Sequence, residues 1–550
     1  MNKLILKGYK FHKSGRLEEA RKLYERVLKS DPKNFEACQL LGTLYTHEDN
    51  HDEAIFYLNK AISLSPSNAL PYFNKGVLLT KVGKIEEAIS CYGIAGRIKP
   101  DYFEAFNNRA NLLIKIKCYE DALNDFDYII KNSNAAASAH FNKANLLKRL
   151  GRNKEALFEY EMTLKIKNDY FEAYLNKGVL LKESYDIKGA IENYQKALKI
   201  SPENIDALYN LGNSLQEDGQ IKKALHLYNK IIELNPNHHS ARWNKSLALL
   251  LQGDFKNGWK EYECRTTIKK QILCNGKKLQ EWRGEKSIRN KKIIISSEQG
   301  LGDSIQFFRY LPKIIEMQGT PIFRVQSPLK ELFQDFDTKI KVIDEKESIP
   351  NADFHCPLMS LPYAFRTTLD TIPNNTPYLR ADKKLKFFFE NAIKEKGKIK
   401  IGIAWSGAAN HKNDRNRSLA LSQLFPVINN NRFEFHSLQK EYRGGDQIII
   451  EDNDRLMDHS KTLKSFSDTA ALIECMDLVI SVDTSVAHLS GALGKRTWIL
   501  LPFMPDFRWL LERKDSPWYP TVDLFRQEKI GKWDEVIQQI NIALDSYHGG

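Results

Sequence analysis

A single aspartate stands between an apolar run and an amphipathic run in the segment SSEQGLGDSIQF, from Ser296 to Phe307. Gly300 and Gly302 permit a tight strand-to-helix turn, which puts Asp303 at the start of the helix. An aspartate at this position often accepts backbone N–H bonds as a helix cap. The same carboxylate also suits a site in which it faces a bound molecule. The residues alone leave both interpretations of Asp303 open.

A second polar cluster follows another apolar run, in the segment SVDTSVAHLSGALGK. Asp483, Thr484 and Ser485 are predicted to open a helix that carries His488. Free amides at a helix start bind anions, and the two hydroxyls add donors, so a diphosphate fits this position. In the alternative interpretation Asp483 only caps the helix and His488 is a satisfied core histidine.

A third cluster is a small, polar and basic loop that follows a predicted strand ending at Trp405. Its basic residues are His411, Lys412, Arg415 and Arg417. Such a loop can close over phosphates with charge-assisted hydrogen bonds, or it can be a plain surface connection. We assign Trp405, Gly300 and Gly302 to the same donor-binding site as the second cluster.

Alternating strand-like and helical runs position these clusters. The predicted strands are Lys292–Ser297, Ile322–Gln326, Ile340–Ile343, Lys400–Trp405, Phe433–Ser437, Leu478–Ser481 and Arg496–Leu501. Strands separated by helices indicate parallel α/β sheets, in which ligands lie beyond the carboxyl ends of the strands. We predict a linker at 267–285, one Rossmann-like domain at 286–385 and a second at 386–550, with a cleft between the two domains.

The first half of the chain repeats with a period of 34 residues. A small residue recurs at Gly8, Gly42, Gly76, Ala110, Ala144, Gly178, Gly212 and Ser246. A mostly aromatic column follows at Tyr24, Leu58, Tyr92, Phe126, Tyr160, Tyr194, Tyr228 and Tyr262. A small residue on one short helix lets a second helix approach closely, and stacked units build a continuous core. Residues 1–266 are therefore predicted to form about eight helix pairs, and they resemble the tetratricopeptide repeat.

A column of asparagines shares the same period: Asn74, Asn108, Asn142, Asn176, Asn210 and Asn244. A ladder of carboxamides can hold an extended peptide by its backbone. Alternatively, each asparagine bonds the neighbouring repeat. The repeat array of protein O-GlcNAc transferases, which these repeats resemble, carries such a ladder facing its substrate.

Residues 290–545 resemble the heptosyltransferase-like glycosyltransferases of family 9, which adopt the two-domain GT-B fold. The SVDTSVAHLSGALGK block carries most of this resemblance. It implies that Asp303 is the general base and that Asp483, Thr484, Ser485 and His488 bind the donor diphosphate. The basic residue near the leaving phosphate falls near Arg417, with Arg415 and Lys412 as alternatives.

The resemblance implies a glycosyltransferase that moves a sugar from a nucleotide-sugar to a protein or peptide held by the repeats. No DxD-like or His/Asp cluster has metal-ligand spacing, so we expect inverting transfer without a metal or other cofactor. Two alternatives stay open: an interaction scaffold with an inactive or nucleotide-sensing GT-B unit, and a transferase acting on a cell-envelope or lipid-linked glycan.

Composition adds few constraints. The formal charge of +13 is spread along the chain, which is typical of a lysine-rich solvated surface and does not predict nucleic-acid binding. Seven scattered cysteines without a CxxC pair, and no apolar run long enough to span a bilayer, predict a reduced cytoplasmic protein. The segment 501–527 is rich in aromatic residues and arginines; it forms either part of the ligand pocket or the packing of a long connection.

Overall fold

The protein forms two compact units, Met1–Ser214 and Leu215–Gly550. The computed structural model describes residues 3–134, 136–268, 273–274, 277–334, 336–393, 397–409 and 413–549.

As far as Tyr262, all regular secondary structure of the described residues is α-helical. They are α1 Lys3–Lys13, α2 Leu17–Ser30, α3 Phe35–His47, α4 His51–Leu64, α5 Ala69–Val82, α6 Ile85–Ile98, α7 Phe103–Lys115, α8 Tyr119–Asn132, α9 Ala137–Arg149, α10 Asn153–Ile166, α11 Phe171–Glu183, α12 Ile187–Ile200, α13 Ile205–Glu217, α14 Ile221–Leu234, α15 His239–Leu251 and α16 Phe255–Tyr262. Consecutive helices pair, as the period predicts. The first unit holds α1 to α12 and most of α13, and the second unit holds α14 to α16.

The recurring small residue lets the two helices of each pair touch. A Cβ atom added at Gly8 would lie 2.6 Å from the ring of Tyr24, and one at Gly178 would lie 2.6 Å from the ring of Tyr194. Real Cβ atoms do not come this close, so a larger residue at either position would force the tyrosine ring to shift. The aromatic rings are buried, and the 34-residue pattern is thus explained by close packing inside each pair.

A five-stranded parallel sheet, called here the first sheet, follows the helices. Its strands are β3 Gln280–Glu281, β4 Lys292–Ser296, β5 Thr320–Val325, β6 Lys341–Asp344 and β7 Phe354–Pro357, in the order β3-β7-β4-β5-β6. A separate antiparallel pair, β1 Leu273–Cys274 and β2 Lys277–Lys278, precedes it. The helices of this region are α17 Leu301–Phe307, α18 Leu311–Glu316, α19 Lys330–Gln334 and α20 Leu361–Ala364.

A six-stranded parallel sheet, the second sheet, completes the chain. Its strands are β8 Ile399–Ala404, β9 Phe433–Ser437, β10 Leu456–Met457, β11 Leu478–Val482, β12 Thr497–Leu501 and β13 Val522–Arg526, in the order β10-β9-β8-β11-β12-β13. The helices are α21 Lys383–Ala392, α22 Asp414–Arg417, α23 Phe425–Ile428, α24 Asp446–Glu451, α25 Phe466–Glu474, α26 Ser485–Ala492 and α27 Trp533–Asp545.

The strand order reverses once in each sheet, between β4 and β7 and between β8 and β11. Adjacent parallel strands whose connections leave in opposite directions open a crevice at their carboxyl ends, where α/β proteins bind ligands. The Asp303 segment follows β4 and the Asp483 segment follows β11. Both predicted clusters therefore lie at these crevices.

Several elements differ from the predictions. β7 and β13 were not predicted, and β3 lies inside the segment predicted as a linker. α27 contacts α23 and β13, and its buried residues Trp533, Val536 and Ile540 join the core of the second sheet.

Candidate functional site

Asp303 caps its own helix. Its Oδ2 accepts the backbone N–H of Gly300 at 2.7 Å, which fixes the carboxylate at the start of α17. Gly300 has an ordinary φ of −83°, and the left-handed position of the turn is taken by Gln299, at φ 62°. The prediction that the two glycines make the turn is therefore wrong in this detail.

Gly302 has another role: it lets α17 approach α26. A Cβ atom at Gly302 would lie 2.8 Å from Cδ2 of His488 and 3.5 Å from Cα of Ser485. Helix α17, which follows β4 of the first sheet, thus touches helix α26, which follows β11 of the second sheet. This contact brings the two predicted clusters together although about 180 residues separate them in sequence.

The second carboxylate oxygen of Asp303 is bound by Arg508, a residue that the sequence analysis did not assign to the site. The Nη2 of Arg508 donates to Oδ1 of Asp303, its Nε donates to Gln306 at 2.5 Å and its Nη1 donates to Asp506 at 2.6 Å. The Arg508 and Asp303 side chains are only 8% and 15% exposed. Burial raises the pKa of Asp303, while the nearby charge of Arg508 opposes that rise.

Arg508 is held by a short 3-10 helix, Phe507–Trp509, in the aromatic segment 501–527. Phe507, Trp509 and Trp518 are buried, so the packing interpretation is correct for these aromatics. The ring of Phe507 also lies 4.4 Å below the Arg508 guanidinium. The segment therefore packs its rings inward while it delivers one arginine to Asp303.

The predicted diphosphate site lies at the start of α26. This helix begins at Ser485, with Thr484 at the N-cap position and Asp483 one residue earlier. The first backbone N–H groups of a helix have no acceptor within it, and Ser485 keeps part of its surface exposed. The Thr484 hydroxyl is within 3.3 Å of the Ser481 hydroxyl, so Thr484 is tied to the strand.

Asp483 is an unusual carboxylate. Its burial, together with the nearby charge of Asp506, raises its pKa to about 6. Arg417 and Arg508 lower this pKa but do not cancel the effect of burial. Asp483 is not the N-cap residue, so the capping interpretation does not explain why a carboxylate stands here.

His488 is a packed histidine. Its Nδ1 lies 3.0 Å from the Tyr519 hydroxyl, and its ring stacks on Trp509 at a centroid distance of 5.3 Å. Burial, and then the charges of Arg508 and Arg309, lower its pKa well below the usual value, so the ring is neutral. The structure supports the core-histidine interpretation, and His488 contributes to the site by its contact with Gly302.

Arg417 is the basic-loop residue that reaches the site. Its Nη1 donates to the backbone oxygen of Asp483 at 2.8 Å, and its guanidinium lies over Gly407, just beyond β8. Asp414 positions the loop, because it accepts from Ser418 at 2.8 Å and from the guanidinium of Arg443. Arg417 therefore sits at the crevice between β8 and β11. The alternative residue Arg415 is exposed, and the predicted contributors His411 and Lys412 lie outside the described residues.

Trp405 does not line the site, in contrast to the prediction. Its side chain is fully buried in the core of the second sheet. The indole N–H donates to Asp446 at 2.9 Å, and the ring stacks on Tyr442. The indole is thus turned into the protein, where a bound donor cannot contact it.

The last repeat supports the turn that carries Asp303. The hydroxyl of Tyr262, a member of the aromatic column, accepts from the side-chain amide of Gln299 at 2.8 Å. Just beyond α16, Arg265 binds Glu298 through Nη2 at 2.7 Å, and this pair is buried. The left-handed residue Gln299 and the residue before it, Glu298, are therefore fixed by the end of the repeat region.

The asparagine column bonds neighbouring repeats through Asn74, Asn142 and Asn176. Asn74 donates to Thr43, Asn142 to Asn107 and Asn176 to Asn145, each at 2.9 Å and each to the preceding repeat. The alternative interpretation is thus correct for these amides, and peptide holding stays a prediction. Asn108, Asn210 and Asn244 are half-buried like the other three.

The repeats of the first unit also form a cavity of about 250 Å³. Its lining combines the rings of Phe73 and Phe103 with the amides of Asn107 and Asn108 and the carboxylate of Glu104. Asn107 stands where the same position of the adjacent repeats carries Phe73 and Phe141. The shorter side chain of Asn107 leaves this space unfilled.

Among the described residues, no group of three or more His, Cys, Asp or Glu side chains is arranged to hold a metal ion. In the same part of the chain, no helix is both long and apolar enough to cross a membrane.

Comparison with known proteins identifies the repeats. Models described as "Tetratricopeptide repeat" match residues 11–61, 57–90 and 205–238, and one described as "TPR repeat" matches residues 186–219. Tetratricopeptide repeats are therefore present in this chain, as the period predicts.

Protein FlbA of Caulobacter vibrioides is 25% identical over 328 residues, which cover 54% of this chain and 54% of FlbA. The chain spans about half the length of this curated relative. Among solved structures, YrrB, described as a TPR protein with an unusual peptide-binding site, is 24% identical; the match covers 34% of this chain and 98% of YrrB, with a TM-score of 0.30. A tetratricopeptide repeat protein from Parabacteroides merdae is 22% identical over 45% of this chain and 97% of its own, with a TM-score of 0.32.

Proposed function

We propose that the two parallel sheets form a glycosyltransferase that uses a nucleotide-sugar donor. The observation that carries the proposal is the close approach of Gly302, the residue before Asp303, to Ser485 and His488 of α26. Sugar transfer needs a proton acceptor and an anion site at one place. Asp303 and the start of α26, with Arg417 next to it, supply this pair.

The proposed reaction is one displacement. The acceptor hydroxyl oxygen attacks the anomeric carbon as its proton passes to Asp303, and the bond from that carbon to the donor phosphate breaks. The electron pair leaves with the nucleoside diphosphate. The amides at the start of α26, the Ser485 hydroxyl and the Arg417 guanidinium stabilise the growing charge. A single displacement inverts the anomeric centre, and these residues suffice for it without a metal.

The Arg508 contact sets a condition for this reaction. A carboxylate that accepts a hydrogen bond from a guanidinium is a weak base, so Asp303 must lose that contact before it takes a proton. The diphosphate of a donor is a better partner for an arginine than one carboxylate, because it carries more charge. We therefore propose that donor binding draws Arg508 away and frees Asp303.

The acceptor proposed here is a protein or peptide held by the repeats. Tetratricopeptide repeats support a protein-interaction role. The cavity beside Asn107 and Asn108 supports it further, since it offers apolar walls and amide groups at the asparagine column. A cell-envelope or lipid-linked glycan remains the alternative acceptor.

One observation favours a second candidate function, a scaffold with an inactive transferase unit. Both oxygens of Asp303 are occupied, one by Gly300 and one by Arg508. If this arrangement persists with a nucleotide bound, the unit senses the nucleotide and transfers nothing.

Turnover separates the two functions. The full chain is incubated with UDP-, GDP-, ADP- and CMP-sugars, and the released nucleotide is measured for the wild type and for Asp303→Asn. The transferase predicts slow donor hydrolysis by the wild type and a loss of about 10²-fold or more in Asp303→Asn, with donor binding kept. Equal turnover by both proteins contradicts the role of Asp303. Binding without turnover favours the scaffold.

A further inference from the structure

The cavity of the first unit exists because one position of the repeat differs from its neighbours. The 34-residue column that contains Phe73 and Phe141 carries Asn107 between them. Its shorter side chain leaves about 250 Å³ unfilled among helices α5, α7, α8 and α9. Pockets for drug-sized molecules measure about 300–1,000 Å³, so this cavity suits one long side chain better than a whole small-molecule ligand.

The lining of the cavity is acidic. Among the described residues, those that line it include one carboxylate, Glu104, and no lysine or arginine. Glu104 is exposed on the first turn of α7 and forms no ion pair with the described residues. The next basic residue of α7, Arg109, is neutralised by the buried Asp125, to which its Nε donates at 2.7 Å. Lys75 and Lys131 each follow a lining residue by two positions, which turns them to the other side of their helices.

The remaining charges near the lining do not reverse its sign. Lys143, the first lysine of α9, pairs with Asp127 at 2.6 Å and with Glu159 at 2.7 Å. Lys99 and Asp101, which precede α7, have opposite charges. The cavity therefore favours a cationic group, and an anionic group would meet Glu104 without a counter-charge.

Two phenylalanines give the cavity its apolar walls. The ring of Phe73 packs against Tyr102 at a centroid distance of 4.8 Å, and Phe103 is half-buried against the repeat core. Long basic side chains lay their methylene stems along apolar surface, and aromatic rings attract the charged heads. Rings beside a carboxylate thus suit the two parts of such a side chain.

We propose that this cavity receives one arginine or lysine side chain of an extended peptide. The stem lies along Phe73 and Phe103, and the charged head binds Glu104. Asn107, whose Oδ1 accepts the Asn142 amide at 2.9 Å, keeps its N–H groups as donors for a peptide carbonyl. This inference rests on the proposed role of the repeats in holding a peptide and states which residue that peptide contains. It does not depend on sugar transfer.

The test measures peptide binding to the full chain by ligand-detected NMR, with no sugar donor present. The probe is acetyl-Ala-Ser-Ala-Arg-Ala-Ser-Ala-amide, and its counterparts carry lysine, citrulline or glutamate at the centre. We expect the arginine and lysine peptides to bind with an affinity that falls as salt is added. The citrulline peptide keeps the shape and loses the charge, so it should bind about threefold or more weakly, and the glutamate peptide should bind least.

Two variants and a matched control locate the binding. Glu104→Gln should weaken binding of the arginine peptide by about threefold to fivefold, as for the loss of a partly exposed ion pair. Asn107→Phe fills the cavity with the ring that the adjacent repeats carry, and should weaken binding by about tenfold or more because the stem stays in water. The control is Glu172→Gln, an exposed glutamate at the same position of α11 that does not line the cavity. It should bind like the wild type.

Three results overturn the proposal: no binding of the arginine peptide by the wild type, equal binding of the arginine and citrulline peptides, or equal losses in Glu104→Gln and Glu172→Gln. Donor hydrolysis by the same proteins separates this inference from the proposed transferase. Hydrolysis without selective peptide binding refutes the cavity assignment alone. Selective peptide binding without hydrolysis supports the cavity assignment and counts against the transferase.

Discussion

The Asp303–Arg508 pair allows a quantitative test of the site geometry. Both side chains are largely buried, at 15% and 8% exposure. Removal of one partner of a buried pair typically costs about 3–5 kcal/mol, because a charge is left unpaired. Arg508 keeps its bonds to Asp506 and Gln306, so Asp303→Asn should lower the free energy of unfolding by only about 2–3 kcal/mol. Arg508→Met should lower it by a similar amount, because it leaves Asp303 in a buried position that raises its pKa and disfavours the ionised carboxylate.

The informative quantity is the coupling between the two changes. The double variant no longer contains the pair, so its loss of stability should be smaller than the sum of the single losses by about 1–2 kcal/mol. The control is Arg513→Met with Asp515→Asn, an ion pair in the same segment whose side chains are 37% and 67% exposed. Exposed pairs contribute at most about 1 kcal/mol.

Tryptophan fluorescence during urea unfolding is the appropriate assay. All eight tryptophans lie beyond Ser214, so the signal reports the second unit alone. A coupling energy no larger than that of the Arg513–Asp515 pair would refute the reasoning. Asp303 and Arg508 would then not form a buried pair in solution.

Three further predictions concern the surroundings of the pair. Gly302→Ala puts a methyl group 2.8 Å from His488, so it should destabilise the second unit by about 1–3 kcal/mol in the urea assay and slow donor hydrolysis. Asp483→Asn should stabilise the second unit by about 3 kcal/mol at pH 7 and by almost nothing below pH 3, because the folded pKa is about 6 against 3.8 unfolded and the ionised form is the disfavoured one. Tyr262→Phe removes the 2.8 Å acceptor of the solvent-exposed Gln299 amide, so it should cost only about 0.5–1.5 kcal/mol while it lowers kcat for donor hydrolysis more than it changes KM.

A different result would contradict each of these three predictions. Gly444→Ala is the control, because no atom lies within 4 Å of its added Cβ, and it should behave like the wild type. If Gly302→Ala also behaves like the wild type, helices α17 and α26 do not touch. An Asp483→Asn variant whose stability follows the wild type at every pH would contradict the raised pKa of Asp483. Full activity in Tyr262→Phe would show that the last repeat does not support the turn that carries Asp303.

Much of the fold was predictable because its signals are local. The 34-residue period needs only close packing inside each pair, and it predicts all sixteen helices of the described repeat region. β9 was predicted at Phe433–Ser437, as observed, because its phenylalanines alternate with polar residues. β7 was missed because Phe354–Pro357 is short and ends in proline, and β13 because Val522–Arg526 lies inside a connection rich in aromatic residues and arginines.

The site was predictable only in part. Asp303 and Asp483 follow strands of the sheets, so topology brings them to the crevices. Arg508 meets Asp303 across 205 residues, and no local pattern encodes that contact. Trp405 was misassigned because the last aromatic of a strand resembles a pocket wall, whereas its indole N–H bonds Asp446, 41 residues further on.

Donor binding is the measurement that tests the central claim most directly. Ligand-detected NMR on the full chain, with UDP-, GDP-, ADP- and CMP-sugars, would compare the wild type with Ser485→Ala/Arg417→Gln. The proposed site predicts that one donor binds the wild type and loses affinity by about tenfold or more in the variant, because a hydroxyl and a charge-assisted bond are removed. Absence of binding by every donor at millimolar concentration, or unchanged binding in the variant, would contradict a donor site at the start of α26.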